Sequence, residues 1–396
     1  MPAPTACALL AGFAACVASF VALRDMPADK TDAAAIAHWI GQLGDDDFDK
    51  REEASQKLAA IGEPALPALQ EAAEKEANPE ARSRAGKLAE AIAKSVYPEL
   101  RSISGGTPGY WWNRVAFTPD GKQAVVAGGG VFLYDLDNGK ELYRGVMEQQ
   151  YARRGLCLST DGKQFLTGHQ SDSVVRLAEV ATGKQIRTFV GHTGGVWGTA
   201  LSPDGALAVS GGDDKTLRIW EVKTGKEQRR CEGVADTPLC LAFGPQGARF
   251  ASGHGGADSS FLVRLWDAGT GKEVRAFKGH TQNVTSIAFV SDEKYLLSSS
   301  MDGTIRLWDV ESGKVVQQMK HEGGVYDAAA SPDGTRALSA GFSDKTVRLW
   351  DLTTGKEIHR FTAHQAGVLA VAISRDGKRG LSCDANQTMK LWQLAK

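Results

Sequence analysis

Hydrophobic and polar residues follow two different periods along this chain. Between residues 31 and 95 the apolar positions recur at helical spacing, and one stripe can be traced through two predicted helices. That stripe consists of Ala54, Leu58, Ile61, Leu66 and Leu69. From about residue 105 onward, short runs rich in Val, Ile, Leu and Phe alternate with Gly-containing turns, which is typical of β-strands. The pattern therefore predicts a small α-helical domain over residues 31–96 and a mainly β domain over residues 97–396.

The β-rich part repeats with a nearly constant period. One position, usually Trp, recurs after intervals of 44, 42, 46, 42, 42 and 42 residues. Its occupants are Tyr134, Ala178, Trp220, Trp266, Trp308, Trp350 and Trp392. A repeat of this length with several short strands per unit is typical of a propeller blade. Seven such units predict a seven-bladed β-propeller.

Two series of turns join the strands of each unit. The first is Ser-Pro-Asp-Gly or a variant of it, as at 202–205, where Gly accepts the positive φ that closes a hairpin. The second contains Thr-Gly-Lys or a variant, as at 224–226. Because the second series recurs six times at a fixed period and lacks the GxxxxGK pattern leading into a helix, we interpret it as turns and not as phosphate-binding loops.

The repeats carry the marks of a known family. A Gly-His dipeptide occurs at 191–192 and 279–280, and Trp-Asp occurs at 266–267, 308–309 and 350–351. Residues 105–396 therefore resemble seven WD repeats, the units of a WD-repeat β-propeller. The resemblance implies a rigid platform for proteins or peptides, used through the face that bears the Gly-His loops.

The resemblance also implies a hydrogen-bonded set of His, Ser or Thr, Asp and Trp within a blade. The implied sets are His192, Ser210, Asp214 and Trp220; His280, Ser298, Asp302 and Trp308; His321, Ser339, Asp344 and Trp350; and His364, Ser382 and Trp392, with Asn386 in place of Asp. Blades one, two and four lack the His, and Ala178 replaces the Trp of blade two. A His–Ser–Asp grouping also occurs in hydrolases, but its recurrence in several blades beside a Trp donor favours a structural role.

The helical segment resembles a HEAT-type repeat. The similarity runs over about thirty residues and rests on a loose pattern of Arg51, Ala54, Leu58, Gly62, Pro64 and Leu69. Asp47 or Asp49 is the expected N-cap of one helix and Gly62 its C-cap.

The last predicted blade contains three strands, and a segment upstream of blade one supplies the fourth. Residues 98–106 align with the outer strand of blade four, so that Glu99 corresponds to Glu273, Arg101 to Arg275 and Ile103 to Phe277. Since an open ring would leave two unpaired strand edges, we expect residues 97–105 to complete blade seven.

Composition adds the cellular context. The formal net charge of −1 provides no basic field, so nucleic acid is not an expected partner. Residues 6–23 are continuously apolar, which predicts a signal peptide or membrane anchor within residues 1–25 and a protein that is exported or tethered. If Met26 is the true start, a cytoplasmic location is expected instead.

The most unusual residues on the Gly-His face belong to blades one and two. Trp, Tyr and Arg dominate binding hot spots, so these residues and two from other blades are candidate contacts for a protein partner. The candidates are Tyr110, Trp111, Trp112, Tyr151, Arg153, Arg154, Trp197 and His254. The alternative for Trp111 and Trp112 is packing between blades in place of the missing lock residues.

Two functions remain open at this point. The first is a non-enzymatic scaffold for protein–protein interaction, since no metal triad, spaced acid pair or dinucleotide fingerprint accompanies the repeats and no cofactor is expected. The second is a small-ligand or glycan binder that uses the mouth of the central channel. The residues expected to line that mouth are Trp112, Arg153, Val196 and Asn283.

Overall fold

A computed structural model describes residues 33–106, 111–145, 152–231, 233–256 and 260–394, with backbone alone for residues 152–154. The chain divides into two compact units, the first ending at Ile92 and the second running from Ala93 to Lys396. The helices and the short 3-10 turn are α1 (Ala33–Gln42), α2 (Phe48–Ile61), η1 (Glu63–Ala65), α3 (Leu66–Lys75) and α4 (Pro79–Val96).

Capping residues define both ends of α2 in the first unit. Asp47 precedes α2 and its carboxylate accepts a hydrogen bond from the Asp49 backbone N–H at 2.9 Å. Gly62 ends α2 with φ of 73°, a conformation that Gly adopts without strain. The predicted stripe faces inward, because Leu58, Leu66 and the other members except the half-buried Ile61 are buried.

The second unit is a β-propeller of seven antiparallel four-stranded sheets among the described residues. Blade one comprises β2 (Arg114–Phe117), β3 (Gln123–Ala127), β4 (Val131–Asp135) and β5 (Glu141–Gly145); blade two β6 (Ala152–Leu158), β7 (Gln164–His169), β8 (Val175–Glu179) and β9 (Gln185–Phe189); blade three β10 (Val196–Leu201), β11 (Leu207–Gly212), β12 (Leu217–Glu221) and β13 (Glu227–Cys231). Blade four comprises β14 (Thr237–Phe243), β15 (Arg249–Gly255), β16 (Val263–Asp267) and β17 (Glu273–Phe277); blade five β18 (Val284–Val290), β19 (Tyr295–Ser300), β20 (Thr304–Asp309) and β21 (Val315–Lys320). Blade six comprises β22 (Val325–Ala330), β23 (Arg336–Gly341), β24 (Val347–Asp351) and β25 (Glu357–Phe361); blade seven β26 (Val368–Ile373), β27 (Arg379–Asp384), β28 (Thr388–Gln393) and β1 (Glu99–Ser104). The first strands of neighbouring blades contact one another in a closed ring around the channel.

The N-terminal strand closes the ring, as the sequence predicts. β1 pairs with β28 so that Glu99 lies opposite Trp392 and Ile103 opposite Met389. The same register relates Glu273 to Trp266 in the outer pair of blade four, which confirms the predicted alignment. The Pro98 carbonyl extends the ladder by accepting from the Gln393 N–H at 3.0 Å.

An aromatic contact adds to this closure. Tyr97, which directly precedes Pro98, is only 3% exposed, and its ring stacks on His359 of blade six at a centroid distance of 5.0 Å. Phe361 lies edge-on to Tyr97 and contacts Trp392 of blade seven. The segment that leads into β1 is thus fixed at the junction between blades six and seven.

The propeller core lies between adjacent blades. One layer joins Val209 and Ile219 of blade three to Phe250, Trp266 and Ala268 of blade four, and similar layers occur around the ring. Each layer forms because alternate strand residues point to one face of a blade and pack against the next blade.

Candidate functional site

The predicted His, Ser, Asp and Trp residues of blade three lie together inside the blade. His192 Nε2 lies 2.7 Å from Ser210 Oγ, and His192 Nδ1 lies 2.9 Å from an Asp214 carboxylate oxygen. The Trp220 indole N–H donates to Ser210 Oγ at 2.8 Å. The same pattern joins His280, Ser298, Asp302 and Trp308 in blade five and His321, Ser339, Asp344 and Trp350 in blade six. Each hydroxyl therefore links a ring nitrogen of His to the indole of the third strand.

Blade seven requires one correction to the sequence assignment. His364 and Trp392 bond to Ser382 as expected, but His364 Nδ1 lies 2.9 Å from Asp384 Oδ2 and not beside Asn386. Asp384 stands two residues after Ser382, at the end of β27, whereas the Asp of the other blades stands in the following turn. Its other carboxylate oxygen accepts from the backbone N–H groups of Asn386 and Thr388.

Blades two and four lack the loop His but contain a substitute that the sequence analysis missed. His169 Nε2 lies 3.0 Å from Thr167 Oγ1, and His254 Nε2 lies 2.7 Å from Ser252 Oγ. Both histidines come from the second strand, two residues after the hydroxyl residue, which is also the position of Asp384. A His at that spacing in a blade without the loop His is the sequence signal that identifies them.

Burial and hydrogen bonding shift the pKa values of these groups in opposite directions. Burial opposes ionisation of Asp302, but the hydrogen bonds from His280 and Thr304 outweigh it and hold the pKa of that carboxyl well below its usual range. Burial and the nearby charge of Arg264 lower the pKa of His254 to about 4, and burial and Arg176 do the same for His169. The lock aspartates of blades three, five and six are thus ionised and the two strand histidines are neutral at pH 7.

These sets have no route to a substrate. The hydroxyl residues Ser210, Ser298, Ser339 and Ser382 are all fully buried, and each accepts a hydrogen bond from an indole. A nucleophile needs exposure and an activating base, whereas these hydroxyls satisfy buried ring nitrogens. The hydrogen-bonded sets therefore stabilise the blades in which they lie.

The sequence-predicted partner contacts lie in different environments. Trp112 is fully buried and packs on Tyr134 at 5.7 Å and on Phe132 at 6.1 Å, in the core layer that blade one shares with blade seven. His254 is also fully buried, as described above. Trp197 is half-buried, and its indole N–H donates to Asp213 Oδ1 at 2.6 Å. Tyr110, Tyr151 and the side chains of Arg153 and Arg154 lie outside the described residues.

Trp111 is exposed and lies beside other aromatic side chains. Its side chain is 51% exposed on the Gly-His face, and its ring lies 6.2 Å from Phe342 of blade six. Phe342 in turn stacks on Tyr326 at 4.8 Å with an interplanar angle of 28°. We call these three residues the aromatic ridge.

A glycine of blade seven leaves room for the ridge. Gly367 lies beneath Phe342, and a methyl group there would overlap the Phe342 ring and carbonyl oxygen. Phe342 stands in the turn between β23 and β24, where the equivalent turn of blade three has Asp213. Neither Phe342 nor Tyr326 was predictable from the sequence, since neither departs from ordinary strand or turn composition.

The central channel contains an ion pair. Arg114 Nη1 of blade one lies 2.6 Å from Asp327 Oδ1 of blade six, and the two side chains are 14% and 8% exposed. Burial opposes the charge of Arg114, but attraction to Asp327 and their hydrogen bond outweigh it and raise the pKa of the guanidinium. Two of the residues expected to line the channel mouth have other positions, because Trp112 and Val196 are fully buried.

The described residues also form a groove between two blades. A groove of about 620 Å³ between blades four and five is lined by both cations and anions, including Arg275, Lys294, Asp309 and Glu311. No cluster of three or more His, Cys, Asp or Glu side chains in the described ranges is placed to hold a metal ion. In the described part of the chain, the thiols of Cys157, Cys231, Cys240 and Cys383 form no disulfide bond.

Comparison with known proteins agrees with this architecture. The family described as WD domain, G-beta repeat matches residues 183–221, 271–309, 313–351 and 355–393. An uncharacterized WD repeat-containing protein of Synechocystis sp. is 30% identical over 146 residues, which is 34% of this chain. The match spans 39% of that relative's length. Four segments of the chain are therefore similar to the WD repeat, and the fold is that of a seven-bladed β-propeller.

Proposed function

We propose that this protein is a non-enzymatic WD-repeat scaffold that binds a protein partner through the aromatic ridge on its Gly-His face. The observation that carries the proposal is the exposed ring of Trp111 in blade one. It lies beside Phe342 of blade six, which stacks on Tyr326, so the ridge extends from blade one over blade seven to blade six. WD-repeat propellers typically act as platforms for protein partners, and this ridge is a surface suited to that role.

The physical case rests on size and rigidity. Aromatic side chains contribute large apolar areas to an interface, and Trp and Tyr are enriched among the residues whose truncation costs the most binding energy. The three rings already pack on one another, so a partner orders few new side-chain torsions when it binds. Both features favour a specific contact on this part of the face.

A small-ligand or glycan site at the channel mouth has weaker support. Trp112 and Val196 are buried, and Asn283 uses its carbonyl oxygen to accept from the Gly256 N–H at 3.0 Å. The Arg114–Asp327 pair crosses the channel below the mouth. These contacts leave the ridge as the better candidate.

Affinity capture with the full-length chain as bait tests the proposal. We expect a stoichiometric protein to be captured by the wild type and lost with Trp111→Ala, while Val190→Ala retains it. Val190 is a matched control because it is 73% exposed on the same face but lies away from the ridge. Equal capture by all three baits would remove the ridge from the interface.

We also propose that residues 6–23 direct export or tether the protein to a membrane, because they form a continuous apolar run. These residues lie outside the described part of the chain, and within that part no helix is long and apolar enough to cross a membrane. Cell fractionation together with mass spectrometry of the N-terminal peptide tests this. Recovery of the protein in the soluble cytoplasmic fraction with an N-terminus at Met26 would refute it.

A further inference from the structure

The Arg114–Asp327 ion pair stands at a position that is otherwise small and uncharged. Strand pairing places Arg114 opposite Ala127 and Asp327 opposite Ala340. The residues at the equivalent place in blades three, four, five and seven are Gly198, Cys240, Ser286 and Ala370. Two opposite charges therefore replace small residues in the two blades that flank blade seven.

The pair also holds the inner strand of blade seven. Asp327 Oδ1 bonds to Arg114, and Asp327 Oδ2 accepts from the backbone N–H of Val371 at 3.2 Å. Val371 belongs to β26, which lies between the first strands of blades six and one. One carboxylate thus connects three consecutive blades.

Hydrogen bonds extend this connection to blade five. Arg114 Nη2 donates to the Thr285 carbonyl at 3.4 Å, and Thr285 Oγ1 donates to the Val325 carbonyl at 2.7 Å. Ser286 Oγ accepts from the Ala328 N–H at 2.8 Å. The inner strands of blades five, six, seven and one are therefore fixed to one another by polar contacts.

The two blades that supply the clasp, blades one and six, also supply the aromatic ridge. Tyr326 directly precedes Asp327, and Trp111 stands three residues before Arg114. Phe342 of blade six lies over Gly367 of blade seven and reaches Trp111 of blade one. The distance between the two ends of the ridge depends on how far blade one stands from blade six.

We infer that Arg114 and Asp327 form a clasp that positions the ridge, and that they are positioning residues for the binding surface. This inference rests on the proposed function for its biological meaning. Breaking the clasp removes the direct bond between the inner strands of blades one and six, so blade one can move relative to blade six. In a single variant the charge that is left unpaired in the channel also lowers stability. Trp111 then separates from Phe342.

Fluorine NMR of the full chain labelled with 5-fluorotryptophan measures this separation without any partner. The Trp111 signal is identified by its loss in Trp111→Phe. Three clasp variants are compared, namely Arg114→Met, Asp327→Asn and the double variant. Asp327→Asn keeps an acceptor for the Val371 N–H, and the double variant leaves neither charge unpaired. The matched control is Glu273→Gln, which removes the 2.5 Å ion pair with Arg264 in blade four.

We expect the Trp111 signal to shift in all three clasp variants and to remain unchanged in Glu273→Gln. Broadening of the Trp111 signal by a soluble paramagnetic reagent should rise by up to about twofold in the clasp variants. Trp111 is 51% exposed in the wild type, and local opening would expose the remainder of the ring. The double variant should regain the thermal stability lost in the single variants and still show the shift, which separates positioning from stability.

An unchanged Trp111 signal in the folded double variant would overturn the clasp and leave the ridge as a binding surface. Equal capture of a partner by the wild type, Trp111→Ala and Val190→Ala would instead refute the proposed function of the ridge and leave the geometric coupling between the clasp and Trp111 intact.

Discussion

The closing strand provides the most direct test of how the ring is held together. The change is Ile103→Ala in β1, and its control is Leu100→Ala in the same strand. Ile103 is 7% exposed and packs in the core cluster of Trp112, Tyr134 and Met389, whereas Leu100 is 43% exposed. Both substitutions remove aliphatic carbon from one edge strand, but only the first leaves a cavity.

The expected magnitudes follow from this burial. Truncating a buried Ile to Ala loses its transfer free energy and leaves unfilled space, so Ile103→Ala should lower the free energy of unfolding by about 3 kcal/mol. Leu100→Ala should cost about 0.5 kcal/mol or less, since the side chain is largely in water in both states. The hydrogen-bond ladder to β28 stays the same in the two variants, because alanine keeps the backbone donor and acceptor.

Urea unfolding followed by tryptophan fluorescence is the suitable assay. Eight of the nine Trp residues lie in the propeller, with Trp39 alone in the helical unit, so the signal reports on the ring. The slope against urea should be unchanged while the midpoint falls. Costs for Ile103→Ala and Leu100→Ala that agree within about 0.5 kcal/mol would refute the claim that β1 seals the core of blade seven.

Three further predictions concern the blade locks. Ser298→Ala should cost about 2–4 kcal/mol in urea unfolding, because it leaves the Trp308 N–H and a His ring nitrogen buried without a partner. Asp384→Ala should cost at least about 2 kcal/mol, whereas Asn386→Ala, at an exposed position, should cost less than about 0.5 kcal/mol. The reverse order would favour Asn386 as the partner of His364, as the sequence spacing predicted. The pKa of His254 is lowered to about 4, so between pH 6.5 and 4 the folded state binds fewer protons than the unfolded chain. The contribution of the neutral His254 to the free energy of unfolding is therefore complete above pH 6.5 and falls below it. Between pH 7 and pH 5 the wild type should lose about 2 kcal/mol more of its free energy of unfolding than His254→Asn does. Equal losses in the two proteins would contradict the assignment.

The regular part of this molecule follows from its repeat. Once Trp220, Trp308 and their equivalents fix the register, each strand, turn and lock residue of a standard blade has a counterpart forty-two residues away. The closing strand was predictable for the same reason, because Glu99 and Ile103 align with Glu273 and Phe277. Periodicity supplies such assignments without any knowledge of tertiary contacts.

The irregular part depends on contacts between blades, which no single repeat records. Trp111 and Trp112 are adjacent and chemically identical, and only the local course of the backbone decides that one is exposed and the other buried. Phe342 reaches Trp111 because Gly367, in another blade, leaves room for it. The partner of His364 is Asp384 and not Asn386. A polar side chain at either position can reach His364, and spacing alone does not choose between them.

The ridge lies over the blade where the ring is closed, and this location couples binding to stability. β1, the Tyr97–His359 stack and the Arg114–Asp327 pair all act on blade seven or on the junctions beside it. A partner seated on Tyr326 and Trp111 would contact blades six and one together, and so would bind the closed ring more tightly than an opened one. By linkage, a partner at one hundred times its Kd adds about 2.7 kcal/mol to the stability of the closed state. The destabilised Ile103→Ala variant should therefore regain most of its stability at that concentration of a ridge-binding partner, and a partner that binds the opened ring equally well should restore none of it.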